Sequence, residues 1–416
     1  MRAALAATTF ALFALLGACS ATPPAEPASP TDPSRTSAIT SSPAPAPTVP
    51  TPPMADDPLE VSTNWAAFER VPKLPRKIAK DPYAYFRFIN PQFSTAVCTE
   101  LGDFGGGAPV VPLHGDAHLE QYALTDIGRG LTDFDDMATG PAVIDLARMT
   151  TSLVLVARMR RFSEDAAVDA FVGGYREGLA GRDAPRPSVI AELKRMNKHD
   201  TKGFLDGAER MMLPVTEDPT LDESEMRGTL GELERAMRAN DRSIPPWFFE
   251  VKKLGPFHAG IGSSLDRKFL ARLEGMTKNP LDDRVIELKF VGDRKLAPCV
   301  KRRLEHEPTD LRADIPLEVF DRFLVPTFVA TSEAWAQEWY PNFFEVESET
   351  IGEAQLAEVA RDAGALLARE HVRGASPQNL AIDAARQARL LASSKKLATR
   401  VERAWKKFRD GLPAEK

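Results

Sequence analysis

A surplus of positive charge is missing from this chain: 53 lysines and arginines stand against 59 acidic residues, giving a formal net charge of -6, with the two signs interspersed. That balance offers no electrostatic reason to expect nucleic acid as a partner. Long apolar runs are also missing beyond the amino-terminal segment. The most apolar stretch, Ala142 to Ala157, is interrupted by Asp145 and Arg148 and reads as a packed helix rather than a membrane span. Cysteine is scarce, with three in 416 residues. Cys98 and Cys299 lack the local spacing of a metal site. An oxidising compartment permits a bridge between them, but separation in sequence says nothing about proximity, and they read as two buried free thiols. No internal repeat is present, and nothing determines an oligomeric state.

What is present begins with a processing signal. After Met1 and Arg2 an Ala- and Leu-rich run extends through Leu16, too short for a permanent span and ending in small residues. Leu16-Gly17-Ala18-Cys19 resembles the lipobox of bacterial lipoproteins. The resemblance implies removal of residues 1–18, lipidation of Cys19 and membrane attachment through more than one acyl chain. The protein is therefore expected outside the cytoplasmic membrane, lipid-anchored to the cell envelope. Ser20 stands where an inner-membrane retention signal more often shows Asp, which gives an outer-membrane address in a cell that has one. From Ser20 to about Pro53, Ala, Pro, Ser and Thr dominate, with too few bulky apolar residues to offset the entropy of ordering. Residues 19–56 read as the lipidated cysteine followed by a semi-extended tether.

The remainder is long enough for a large core. Leu74 to Phe93 predicts a helix with an aromatic face, Val110 to Leu113 a short strand, and Gln121 to Thr125 with Gly130 to Phe134 a hairpin. Val143 to Ala157 predicts a buried helix, and several more follow over 162–234. Pro245-Pro246 then marks a change of character. Phe249 to Leu254, Leu265 to Leu273 and Arg284 to Val291 predict strands, and the chain after Arg303 reads as helical again. This divides the folded part into a motif region with a helical insert (57–240), a glycine-turn and lysine-strand region (241–303) and a helical region (304–416).

The chemistry-bearing residues concentrate between Leu113 and Asp136, which hold His114, Asp116, His118, Asp133, Asp135 and Asp136 beside short predicted strands. Carboxylates brought together repel unless a proton or cation lies between them, and a hard divalent ion suits such oxygens. Asp116 lies in a loop after a strand and Asp133 follows a hairpin, so the second carboxylate can return close to the first. That arrangement suits phosphoryl transfer, where one aspartate positions a hydroxyl and another holds magnesium on the phosphates. A nucleophilic triad has no serine on a sharp elbow here. A zinc site from His114, His118 and Asp133 lacks the helix and glutamate of the hydrolytic signature. Taken singly, each of these residues has a bland reading as a cap or turn former; the two motifs together, at this separation, favour chemistry.

The runs Val111-Pro112-Leu113-His114-Gly115-Asp116-Ala117-His118-Leu119-Glu120-Gln121, Leu131-Thr132-Asp133-Phe134-Asp135-Asp136 and Gly140-Pro141-Ala142-Val143-Ile144-Asp145-Leu146-Ala147-Arg148 resemble the bacterial family DUF2252 over about Pro82 to Ala368. The same residues are similar to the catalytic and metal-binding loops of aminoglycoside phosphotransferases and the wider protein-kinase-like superfamily. That resemblance implies an α+β, kinase-like bilobal fold rich in helices. It also implies a catalytic role for Asp116, with His114 bracing its loop and His118 positioning locally. Asp133 would be a ligand for Mg2+ or Mn2+, with Asp135 and Gln121 as helpers, and Asp145 would tie the following helix back to the loop. Gln121 stands where the superfamily has asparagine, and its extra methylene displaces the carbonyl oxygen unless the backbone compensates.

The nucleotide half of such a fold needs a turn over the phosphates and a lysine to pair with them. Gly260, Gly262 and Ser263 supply the turn, and Lys289 the lysine, for ATP or another phosphate donor. They follow the catalytic motifs instead of preceding them, which implies a circularly permuted order, acceptable where breakpoints are exposed. No glutamate partner for Lys289 stands out; Glu305 and Glu307 are merely nearby. The implied function is a metal-dependent phosphotransferase acting on a hydroxyl of a small molecule or envelope component. The alternative is a degenerate kinase-like domain that binds a phosphorylated ligand or envelope partner without turnover, since ATP is scarce outside the cytoplasm and a fold does not determine its chemistry.

Overall fold

Prolines set the helix boundaries where the folded chain begins. The sequence predicts one helix over Leu74 to Phe93; the chain forms three, α1 (Leu74–Ala79), α2 (Pro82–Phe88) and α3 (Asn90–Leu101). Pro75, Pro82 and Pro91 each occupy the first turn of their helix, where a missing N–H is harmless. Asp81 caps α2 by accepting from the Ala84 N–H at 2.7 Å. Inside one continuous helix, Pro82 and Pro91 would each have removed a backbone bond and clashed with the preceding turn. The computed structural model describes residues 57–61, 65–104, 109–124, 129–133, 136–196, 200–240, 242–290, 296–300, 302–303, 327–328, 333–341 and 343–413. The lipobox, the tether, Asp135, Glu305 and Glu307 lie outside them.

The elements alternate between short strands and helices. β1 (Val110–Leu113), β2 (Tyr122–Leu124), β3 (Arg129–Leu131) and β4 (Ala138–Pro141) lead into α4 (Val143–Arg160), α5 (Glu164–Leu179), α6 (Val189–Met196), α7 (Thr201–Met211) and α8 (Glu223–Asn240). Then come β5 (Val251–Pro256), β6 (Arg267–Leu273), β7 (Arg284–Phe290), β8 (Arg302–Arg303), β9 (Thr327–Phe328), β10 (Glu333–Trp339) and β11 (Phe344–Glu345). The chain closes with α9 (Glu353–His371), α10 (Pro377–Leu380) and α11 (Ala384–Asp410). The result is a mixed α+β fold with three antiparallel sheets, in strand orders β1-β4-β8, β5-β6-β7-β10-β9 and β11-β2-β3. The predicted hairpin is present as β2 and β3, with Tyr122 opposite Leu131.

The stretch after Arg303 departs from its helical reading. β10 pairs with Val285 to Phe290 of β7, and β11 adds to β2, so the five-stranded sheet and the hairpin sheet both draw on residues assigned to a separate carboxy-terminal region. The period-two signal in β10 comes from Ala334 and Ala336, both buried, whose small side chains carry little strand character. One face of the five-stranded sheet packs Phe269, Ile286 and Leu288 against Met226, Leu230 and Leu233 of α8. Its other face meets Leu205 and Ala208 of α7 and borders the cavity described below. The remaining helices share a larger core, in which α5 and α9 approach so closely that a Cβ on Gly174 would lie 1.7 Å from the Arg361 carbonyl oxygen. Among the described residues, no helix is long and apolar enough to cross a membrane.

Cys98 and Cys299 are not free thiols: they form a disulfide that joins α3 to the segment beside β4 across 201 residues of sequence. Cross-linking so long a loop removes much of the unfolded chain's freedom, and loss of a native bridge typically costs ~2–5 kcal/mol. We expect the Cys98→Ser, Cys299→Ser variant to unfold at lower urea concentration than wild type. Reductant should move the wild-type midpoint down to the variant's and leave the variant unmoved; a wild-type midpoint indifferent to reductant would refute this.

Candidate functional site

The loop after β1 is held from behind by Asp145, in the first turn of α4. Its two oxygens accept from the backbone N–H groups of His114 (2.7 Å) and Gly115 (3.0 Å). His371 of α9 reaches the same carboxylate through Nε2 at 3.2 Å, while its Nδ1 lies 2.9 Å from the Tyr175 hydroxyl on α5. Asp145 and His371 are fully buried. Three helices thus fix one loop. Gly115 is required at its apex: its φ is +84°, and a Cβ there would lie 1.8 Å from the Asp136 carbonyl oxygen. The Asn90 amide spans that contact, donating to the Gly115 carbonyl and the Asp136 carboxylate, each at 3.0 Å.

His114 joins the two motif loops, since Nδ1 accepts from the Asp116 N–H at 3.3 Å and Nε2 donates to the Thr132 carbonyl at 2.9 Å. Asp116 itself is buried and clasped by Arg148 of α4, whose Nε and Nη2 reach Oδ1 at 2.8 and 2.7 Å. Burial pushes the Asp116 carboxyl up to about 7; Arg148 opposes the rise, and Asp136 and Asp133 add to it. His118 lies 3.7 Å from the second Asp116 oxygen. Burial, with Arg87 and Arg148 nearby, holds its imidazole well below the usual range, so it stays neutral and the contact is no ion pair. The Tyr83 hydroxyl accepts from the Glu120 N–H and lies 3.3 Å from His118 Nδ1, which directs the neutral ring's proton to Nε2, facing Asp116.

Asp133 follows the hairpin with φ +61°, a left-handed conformation uncommon for a residue with a Cβ. Its Oδ1 pairs with Lys289 Nζ at 2.9 Å, across 156 residues of sequence. Lys289 is buried on β7, the central strand of the five-stranded sheet, rather than at an edge. Both residues line a cavity of about 860 Å³, as do Gln121, Gly260 and Ser263. The Thr132 N–H donates to the Gln121 carbonyl at 2.8 Å, so the residue before Asp133 is bonded to Gln121. Gly260 takes φ +81°, and a Cβ on Gly262 would approach the Arg87 carbonyl oxygen to 3.3 Å, so the glycine turn lies on the end of α2.

The structure therefore brings Gln121, Asp133, Gly260, Ser263 and Lys289 to one cavity, while Asp116, His114, His118 and Gly262 are not among its lining residues. Sequence reasoning missed Lys268, Glu287 and Glu345, which also line it. The period-two pattern of β6 and β7 places Lys268 and Glu287 on the faces of Leu270 and Lys289, a signal that needed the strand register to be used. Among the described residues, no group of three or more His, Cys, Asp or Glu side chains is arranged to hold a metal ion. Asp133 and Gln121 both line this space, and a carboxylate and an amide are side-chain types whose oxygens suit a hard cation.

The bacterial family described as "Uncharacterized protein conserved in bacteria (DUF2252)" matches residues 69–286, more than half of the chain. The protein belongs to that family. The match starts before and ends before the span of the sequence resemblance: it includes both motif loops and the glycine turn and stops just short of Lys289. No curated protein and no solved structure matches the chain.

Proposed function

We propose that this is a lipid-anchored envelope protein whose cavity binds a nucleotide-like phosphate donor and transfers a phosphoryl group to a hydroxyl of a small molecule or envelope component. The architecture is read as kinase-like and bilobal, with its two parts joined in permuted order. The observation that carries this reading is the Asp133–Lys289 pair at 2.9 Å on the wall of the cavity that the glycine turn also lines. A lysine, a glycine turn and a carboxylate from three distant stretches have little reason to meet around open space unless a charged ligand occupies it. Lys289 would neutralise phosphate oxygens, and the turn would let backbone approach them. When bound, Mg2+ or Mn2+ would be held by Asp133 and Gln121, with Asp135 as a further donor, and would neutralise charge on the phosphates. In the transfer, the hydroxyl oxygen forms a bond to the terminal phosphorus as the bond to the leaving phosphate breaks, and the hydroxyl proton passes to Asp116. A carboxyl poised at about 7 is basic enough to take it.

A second reading, binding without turnover, is favoured by one observation. Asp116 is clasped by Arg148 and does not line the cavity. Calorimetric titration of the chain from Ser20 to Lys416 with nucleotides plus magnesium or manganese, followed by an acceptor screen, separates the two. Asp133→Asn should weaken metal-dependent binding at least ~10-fold, whereas Asp116→Asn should leave binding intact and abolish most turnover. Equal weak binding by wild type and Asp133→Asn, or full turnover by Asp116→Asn, overturns the transferase mechanism and leaves the second reading, as does nucleotide binding without turnover by wild type.

The envelope location is supported by the lipobox and by the Cys98–Cys299 disulfide, a bond that persists mainly in oxidising compartments. Fatty-acid labelling should mark the mature amino terminus of wild type and not of Cys19→Ser, which should also lose membrane retention; an unlabelled wild type refutes the anchor.

A further inference from the structure

We infer that Lys268 is a second ligand-binding cation of this cavity, placed with Lys289 to receive the adjacent phosphate groups of a di- or triphosphate. The inference rests on the reading of the cavity as a phosphate site. Lys268 and Lys289 stand directly opposite each other on the antiparallel strands β6 and β7, and both line the cavity. Like charges directly opposite in a sheet destabilise it, and here both are buried, at 3% and 6% exposure. Lys289 is compensated by Asp133. Lys268 instead donates to neutral oxygens, the Ala259 carbonyl at 2.7 Å and the Ser263 hydroxyl at 3.0 Å, and lies 4.7 Å from the centre of the Phe257 ring. The acidic groups that act on it most, Glu287 and Asp133, are engaged by Trp339 Nε1 (2.8 Å) and by Lys289.

Support for the turn would require only a neutral donor. A buried ammonium whose bonds go to neutral oxygens is costly, and burial accordingly lowers its pKa from 10.5, with Glu287 opposing and Lys289 adding to the fall. An anion in the cavity offsets that cost. Space for one lies in the cavity of about 860 Å³ that Gly260, Ser263 and Lys268 line together. Cross-strand partners have Cβ atoms about 5 Å apart. Two flexible ammonium groups on that spacing can each meet one of two linked phosphates, whereas a single monophosphate needs only one of them.

The test is calorimetric titration of the full-length lipidated protein in detergent micelles with ADP, AMP, pyrophosphate and inorganic phosphate, in the presence of magnesium. Wild type should bind ADP and pyrophosphate more tightly than AMP and phosphate. Lys268→Met, similar in volume, and Lys268→Gln, which keeps a neutral donor for the turn, should each lose at least ~10-fold in affinity for ADP and pyrophosphate. Their affinity for AMP should change by less than ~3-fold, and Lys268→Arg should retain the preference. Ser264→Ala, which removes the hydroxyl that donates to the Gly260 carbonyl at 2.6 Å and so loosens the turn without changing a lining residue, should leave all affinities within ~3-fold. The inference is overturned if wild type binds and both neutral variants match it, or if Ser264→Ala loses as much as Lys268→Gln, because Lys268 then acts only through the turn. If wild type binds none of the four compounds, the phosphate reading of the cavity and this inference fall together.

Discussion

Replacing Asp145 by Ala is expected to lower the free energy of unfolding by about 3–5 kcal/mol, the range for breaking a buried charged hydrogen-bond network. The change removes the acceptor for the buried N–H of His114, the partly buried N–H of Gly115 and the Nε2 of His371. No water can replace it readily, because Asp145 and His371 are fully buried. Asp145→Asn retains one acceptor oxygen but turns an amide N–H toward a donor, so its loss should be smaller and of the same sign. Urea unfolding followed by circular dichroism measures both; a loss below about 1 kcal/mol for Asp145→Ala would show that the loop is held elsewhere.

Arg148→Met should cost a comparable ~3–5 kcal/mol, and most of that loss should be recovered by adding Asp116→Asn. The Arg148 guanidinium lies 3.7 Å from the centre of the Phe86 ring and 5.2 Å from that of Phe93, and it donates to the Phe86 carbonyl at 2.9 Å. Methionine can occupy the aromatic slot. What it cannot do is donate to the Asp116 carboxyl, so the cost belongs mainly to the buried group left without its partner. The same pair predicts a pH dependence of unusual sign. Asp116 has a folded pKa of about 7, above its ordinary 3.8, so between those values the folded state holds a proton that the unfolded state has lost. Its contribution to stability therefore falls as pH rises through that window and levels off above it. Asp116→Asn should remove this slope, and a wild-type contribution that rises over the same window would contradict the assignment.

Where a short segment carries its own signal, it was legible before any coordinates. The strand at Val110 to Leu113, the hairpin around 126–129 and the helix beginning at Val143 each follow from local alternation or apolar periodicity, and the structure contains each of them. The partnership of Lys289 with Asp133 was accessible only through family resemblance, because nothing local links residues so distant. Three features escaped for related reasons. Cys98 and Cys299 gave no sign of meeting, since a 201-residue separation is silent about distance. β10 hid behind two alanines, whose small size fits a helix as well as a strand. Lys268 sits in an Arg-Lys pair at the start of a strand, which resembles solvated chain until the register with β7 shows which face it shares. Arg148 was visible as a charge inside an apolar run, but its role depended on where the Asp116 loop would return.

The pairing of β10 with β7 and of β11 with β2 also has a consequence for the order in which the protein is made. The chain must be synthesised to Trp339 before the Lys289 strand has its second neighbour, and to Glu345 before the Gln121 hairpin has its third strand, so the sheets beside the cavity are completed late. A fragment cut at the family boundary, residue 286, would carry every aspartate of the motif loops yet lose Lys289 and leave β2 unpaired along an open edge. The family match and the strand pairing around the cavity therefore have different ends.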